Sequence, residues 1–249
     1  MSDTASTTSS ESGIDLSRTL TFFFEDPDWV PKLLVGTLFA LLTPFVIGAV
    51  FVAGYAVAVA QNTMRQASPL LPEWDDLPGI FIEGLKGLAI SLTHKLPVIL
   101  LSMLMILAFV GGALIQQEGG ALPERLLYYG LPAIFGGWFL VFVLSLAVLF
   151  YVPAAFVRFI QTDRLSAAFD VMDNVAFIRE QGSTYLTGIL AIVLAGFISQ
   201  LGIIVFCIGV FPAMFWSSCV MGYVIGELAR IGGGARSSQG PNANSSALA

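Results

Sequence analysis

Four stretches of this chain carry no charged side chain: residues 33–64, 96–117, 126–157 and 181–226, which are 32, 22, 32 and 46 residues long. A helix needs roughly 20 apolar residues to cross the hydrocarbon core of a bilayer. Runs of this length predict membrane spans and exclude a water-soluble globule. The composition agrees: 56% of the 249 residues are apolar and 11% are charged, where a soluble domain carries about 25% charge. A transmembrane barrel is excluded too, because its strands alternate polar and apolar residues. The expected architecture is all-α, a polytopic transmembrane helical bundle.

The 46-residue run has to cross twice. Gly209 and Pro212 lie near its middle, so spans are expected at about 185–206 and 209–228. Runs 96–117 and 131–153 each cross once. The run 33–64 would be about 48 Å long as a single helix, against a hydrocarbon core of about 30 Å. Thr43-Pro44 falls in its middle, and a residue before proline is pushed out of the helical region. Two forms are open. A kinked, tilted crossing gives five full spans; a half-helix that dips in and turns back at Pro44 makes the first span re-entrant. Lys and Arg collect on the cytoplasmic side of membrane proteins. With one crossing, 8 of the 11 basic residues share a side; with a re-entrant segment, all but Arg125 do. The re-entrant form gives the cleaner bias and is preferred. In both forms the 65–95 and 158–180 loops and the C-terminus face the cytoplasm, in a multi-pass protein of the cell membrane.

The flanks differ in character from the runs. Residues 1–13 are Ser/Thr-rich and read as a disordered tail. Residues 232–249 are rich in Gly, Ser, Asn and Ala and read as a flexible C-terminal tail. The expected transmembrane domain is 14–231, with the mixed aromatic and acidic stretch 14–32 lying in the interface. Two amphipathic surface helices are expected in the cytoplasmic loops. In 163–180, Leu165, Ala168, Phe169, Met172, Val175 and Ala176 form a helical stripe opposite Asp170, Asp173 and Asn174, with Asp163 placed to cap it. Before the second run, Phe81, Leu85, Leu88 and Ala89 form another stripe, with Glu83 and Lys86 off it.

Chemistry-bearing residues are few. The net charge is −6 and the pI near 4.6, which disfavours nucleic acid, since that partner needs clustered Lys and Arg. His94 is the sole histidine, so there is no His-based metal cluster, and Ser-His-Asp catalysis would depend on it alone. No phosphate loop or dinucleotide glycine pattern is present. Cys207 and Cys219, both in the last apolar run, read as small buried side chains, without metal or disulfide spacing. Ion-coupled transport needs ionisable groups at membrane depth, and only Glu227 sits even at the end of a span. No catalytic residue, cofactor or metal is expected.

The most distinctive string is Leu71-Pro72-Glu73-Trp74-Asp75-Asp76, just before the first surface helix. Acids there favour the positive end of a helix dipole, and Trp favours the membrane interface. Glu73, Asp75 and Asp76 could otherwise ligate a hard cation or recognise a partner. Adjacent acids make poor joint ligands, because neighbouring side chains diverge on a helix and on a strand alike. A similar cluster, Glu25-Asp26-Pro27-Asp28-Trp29, precedes the first run. Trp29, Glu73, Trp74, Asp75 and Asp76 are therefore the candidate interface or partner motif. Gly222 and Gly226 form a small-xxx-small pair suited to close helix packing, within the chain or between copies.

These motifs carry a resemblance. Phe24 to Trp29 with Lys32-Leu33-Leu34, Gly54-Tyr55, the Leu71–Asp76 string, and Phe81 with Gly84-Leu85-Lys86 resemble the prokaryotic membrane-protein family catalogued as domain of unknown function 4013, over roughly residues 20–230. The family usually carries more Arg after the Gly-Tyr pair; here Ala56–Met64 is uncharged and only Arg65 follows. The resemblance implies a multi-span membrane protein found widely in archaea, and supplies no activity. Three functions stay open. The first is a non-catalytic scaffold or accessory component, held by the bilayer and docking a protein partner on its cytoplasmic surface helices or a second copy of itself. The second is a passive small-molecule or lipid transporter. The third is a membrane enzyme built on Glu73, Asp75 and Asp76.

Overall fold

The computed structural model describes residues 13–117, 124–202 and 209–238. The expected tail 1–13 lies outside these residues except for Gly13, as does 239–249 of the C-terminal tail. Among the described residues the chain is helical and carries no strand. The helices are α1 (Leu16–Thr21), α2 (Trp29–Leu41), α3 (Ile47–Met64), α4 (Leu77–Gln117), α5 (Glu124–Thr162), α6 (Val171–Leu201) and α7 (Val210–Ser238). Four of them are long and apolar enough to cross a membrane: Ile47–Met64, Leu77–Leu114, Tyr128–Thr162 and Val171–Leu201. Their large apolar side chains stay exposed along the outer faces. The fifth expected span falls in α7, where Ser217, Ser218, Gly222 and Glu227 dilute the apolar residues. Helix α7 sits among α2, α3, α5 and α6.

The run 33–64 does break at Pro44. Proline supplies no N–H and restricts the residue before it, and residues Thr43–Phe45 form a single 3-10 turn. Val46 then takes φ 65, a left-handed conformation costly for a β-branched residue. The chain reverses there. The rings of Phe39 and Phe51 stack across the reversal with centroids 4.3 Å apart. A methyl group on Gly48 would overlap the Phe39 carbonyl oxygen, so glycine is required for the close approach. At the open end Lys32 reaches the Leu71 carbonyl, 3.2 Å away. Helix α2, about 20 Å long by its residue count, is too short to cross a bilayer core of about 30 Å.

Helix α3 is the hub. Its Gly54 meets Ile80 and Gly84 of α4, and its Ala56 and Ala60 meet Gly222 and Gly226 of α7. The second pairing runs in register, so α3 and α7 are parallel. Helix α6 is antiparallel to α7: Gly188 faces Val224 and Leu228, and Ser199 donates to the Ala213 carbonyl at 2.8 Å. Helices α4 and α5 form a long antiparallel pair, with Gly87 beside Phe156, His94 beside Tyr151 and Gly137 against Met105. The basic positions Lys32, Arg65, Arg158, Arg179 and Arg230 consequently gather at one end of the bundle. The start of α5, with Arg125, lies at the opposite end of the α4–α5 pair.

Three local expectations are corrected. The stripe over 163–180 is not one helix. Leu165–Phe169 is a 3-10 turn; Asp170 is extended and its side chain accepts from the Asp173 N–H at 3.3 Å, capping α6. An acid that caps the following turn competes with helix continuation. The buried residues of the segment are Ala168, Asn174 and Phe177, while Met172 is 80% exposed. Helix α6 then runs on into the membrane-length segment through a kink at Gly182 (φ 12, ψ −90). Second, α4 buries Ile80, Gly84, Gly87 and Ile90 and leaves Leu85 exposed. Its packing face follows its glycines, where backbones can approach, rather than the Phe81–Leu85–Leu88 stripe. Third, the tail expected from 232 begins as helix, because α7 continues to Ser238 with Gly232 lying against the Phe177 ring.

Candidate functional site

The acidic Trp loop folds onto the open end of the α2–α3 hairpin. Each of its groups has a defined partner. Leu71 is buried and offers its carbonyl to Lys32. The Tyr55 hydroxyl donates to the Pro72 carbonyl at 2.9 Å. Glu73 pairs with the Lys32 ammonium at 2.7 Å. The Trp74 ring stacks on Tyr55 at 4.5 Å and Phe39 at 5.1 Å, and its indole N–H donates to the Lys32 carbonyl at 3.3 Å. Asp76 caps α4: its Oδ1 accepts from the Gly79 N–H at 3.0 Å and its carbonyl from the Ile80 N–H at 3.0 Å. Asp75 is exposed, and its Oδ1 accepts from the Asp76 N–H at 2.9 Å.

Lys32 is the residue these contacts converge on. Its side chain is 3% exposed. An ammonium has three N–H bonds, and Lys32 meets three acceptors: Asp26 Oδ2 at 2.9 Å, Glu73 Oε1 at 2.7 Å and the Leu71 carbonyl. Asp26 is also buried, and its Oδ1 accepts from the Asp28 N–H at 2.8 Å. Burial disfavours the ammonium, but the hydrogen bonds it donates to Glu73 and Asp26 and their negative charges outweigh this and hold its pKa above the ordinary lysine value. The cation is fixed and saturated.

The sequence candidates therefore separate. Glu73 and Trp74 join the Lys32 cluster. Trp29 packs edge-on against Phe24 at 5.2 Å, one turn from Lys32 along α2. Asp75 and Asp76 line a groove of about 400 Å³ with Gln61, Glu73 and Glu83. Glu83 is engaged by Lys86 at 2.5 Å, and no group of three potential metal-binding side chains occurs among the described residues. His94 lies elsewhere: its ring stacks on Phe169 at 5.3 Å, and its Nδ1 sits 2.8 Å from the Ile90 carbonyl. Gly222 and Gly226 pack within the chain, where a methyl group would press on the carbonyls of Ala56 and Ala60.

Lys32 and Asp26 escaped the sequence reading as a site. Their spacing of six matches neither helical neighbours at three or four nor any ligand motif. One signal was present: a lone lysine opening a 32-residue uncharged run has to find an acid or reach water.

The Asp76 contacts yield a prediction. Asp76→Ala removes the cap and should cost about 1 kcal/mol. Asp76→Asn keeps an acceptor and loses the charge, costing about 0.3–1 kcal/mol. Unfolding in detergent measures both. Calorimetric titration with Mg²⁺ or Ca²⁺ should show no saturable micromolar binding. Binding that vanishes in the Asp75→Asn, Asp76→Asn double variant would contradict the capping account.

No curated protein and no solved structure matches the chain. The family model described as "Protein of unknown function (DUF4013)" matches residues 37–208. That range holds Tyr55, the whole acidic Trp loop and the α3–α4 glycine contact, while Asp26 and Lys32 dock onto it from outside. With more than half of its length matched, the chain belongs to the DUF4013 family.

Proposed function

We propose that this protein is an integral protein of the cell membrane, with its C-terminus in the cytoplasm, acting as a non-catalytic scaffold or accessory component. The observation that carries the reading is how the distinctive polar groups are spent. Glu73 saturates Lys32, Trp74 wedges beneath Tyr55, and Asp76 caps α4. Catalysis requires a nucleophile or base held towards a reacting atom; here the same residue types fasten one helix hairpin to the next. The cytoplasmic helix faces outside this cluster remain for a protein partner, or for a second copy of the chain.

Genetic complementation tests the role. Asp75→Asn with Asp76→Asn should restore the wild-type phenotype of a deletion strain. Lys32→Ala should fail, with protein lost from the membrane. A double variant that is present at normal abundance and yet inactive would overturn the non-catalytic reading in favour of a site.

The orientation has its own support in the gathering of basic residues at one end of the bundle. With Cys207 and Cys219 replaced, single cysteines at 28 and 75 should label from the same side of sealed vesicles. Labelling from opposite sides would mean that 33–64 crosses the membrane.

A further inference from the structure

A cavity of about 380 Å³ lies between the Arg18–Pro27 stretch, the end of α3 with its following loop, and α7. Phe22, Leu71 and Tyr223, all buried, form its floor. Arg18, Glu25 and Glu227 stand around it. Its volume is in the range of small-molecule sites, which place a few convergent polar groups over an apolar base. The wall is preformed. Asn62 ties the loop at two points: its carbonyl accepts from the Ala67 N–H at 2.9 Å, and its side chain donates to the Leu70 carbonyl at 3.1 Å. Tyr223 is 5% exposed, and its ring stacks on Phe22 at 4.4 Å. Its hydroxyl has no hydrogen-bond partner among the described residues; unlike the Thr63 hydroxyl nearby, it is not sealed from the cavity. The charges of Glu227, Arg18 and Glu25 all act on that hydroxyl, which places it among the charged groups of the rim.

Part of the rim is spent internally and part is not. Asp26 also lines the cavity, but both its oxygens are engaged, by Lys32 and by the Asp28 N–H. Arg230 donates twice to Glu227 Oε2, at 3.1 and 2.6 Å, which leaves Oε1 open. Arg18 and Glu25 form no ion pair with each other or with any other described residue. Opposite charges therefore face one cavity without meeting. A lone cation there would meet Arg18, and a lone anion would meet Glu25 and Glu227. A ligand carrying both signs finds a complement at each end. We infer that this cavity binds a small zwitterion with a primary ammonium and an anionic group: Glu25 and Glu227 hold the ammonium, Arg18 holds the anion, and the Tyr223 hydroxyl adds a hydrogen bond from the floor. Two sources share that chemistry, the head group of an aminophospholipid and a free amino acid. The site is separate from the Lys32 cluster and stands apart from the accessory role, since a zwitterion site would serve a scaffold or a transporter equally.

The test is isothermal titration calorimetry of the full chain in dodecyl maltoside, an uncharged detergent, with glycine and with glycerophosphoethanolamine, the soluble head group of an aminophospholipid. At least one of the two should bind saturably at one site. Ethanolamine, the cation alone, and dimethyl phosphate, the anion alone, should bind at least about tenfold more weakly, each having lost one charge-assisted contact. Arg18→Gln and Glu25→Gln change exposed side chains and should each weaken the zwitterion at least about tenfold. Arg18→Gln should also bind ethanolamine and the zwitterion alike, a signature that a general loss of structure would not produce. Tyr223→Phe keeps the ring stack and removes the hydroxyl; affinity should fall about 3- to 10-fold, the worth of one hydrogen bond. Arg179→Gln, the same charge change at an exposed position outside the cavity, should leave binding unchanged. Tighter binding of glycine assigns a free amino acid. Tighter binding of glycerophosphoethanolamine, with one dioleoyl phosphatidylethanolamine retained in native mass spectrometry and lost in Arg18→Gln, assigns the lipid head group. Three results would each overturn the site: no saturable binding of either zwitterion, equally tight binding of ethanolamine or dimethyl phosphate to wild type, or undiminished binding in Arg18→Gln and Glu25→Gln.

Discussion

Replacing Lys32 by alanine should destabilise the protein by about 3–5 kcal/mol, the cost of breaking a buried ion pair by removing one partner. The expectation rests on what is left behind. Asp26, with a side chain 4% exposed, would keep only the Asp28 N–H as a partner for its charge. The Leu71 carbonyl would lose its donor, leaving the loop tied to α2 by the Trp74 N–H on the Lys32 carbonyl and the Trp74–Phe39 stack. Glu73 would suffer less, because its side chain is 56% exposed and can turn to water. Asp26→Asn should therefore be costly and Glu73→Gln mild. A double variant, Lys32→Met with Asp26→Leu, should recover much of the loss, since buried pairs replaced by apolar residues of similar volume are often neutral. Chemical unfolding in detergent gives the comparison. A Lys32→Ala protein within about 1 kcal/mol of wild type would show that the cluster holds nothing together.

The second large effect is expected at the crossing of α3 and α4. Gly54→Ala should cost at least the 1–3 kcal/mol of a typical overpacked core, and more if the helices cannot part. A methyl group at Gly54 would fall on the Ile80 carbonyl oxygen, and one at Gly84 on that of Val50. Both obstacles are backbone, which cannot rotate aside as a side chain does. Gly222→Ala meets the Ala56 carbonyl and should rank close behind. The comparison set is Gly111, Gly112 and Gly136, where nothing lies within 4 Å of an added methyl group. Alanine there should be neutral or stabilising by up to about 1 kcal/mol, through helix propensity alone. Thermal unfolding of the two sets decides. If Gly54→Ala and Gly112→Ala shift the melting temperature alike, close backbone packing does not govern this bundle.

Several features of the molecule follow from the sequence alone because their causes are local. Uncharged runs of 22 to 46 residues without a strand's alternation announce helices long and apolar enough to cross a membrane. Pro44 breaks the first run through sterics confined to its neighbours, and Asp76 caps α4 because acids favour that position before a helix. The tertiary structure alone decided which face each helix buries. In segments apolar on nearly every side, periodicity has little contrast, so the buried stripe is chosen by where backbones can approach. On α4 that is Ile80, Gly84, Gly87 and Ile90, with Leu85 left outside. The same holds for the polar core. Lys32 contacts Leu71 and Glu73 from some forty residues away, a pairing that exists only once the hairpin at Pro44 has brought its two ends together. A buried charge announces that it needs a partner; the fold determines which carboxylate arrives.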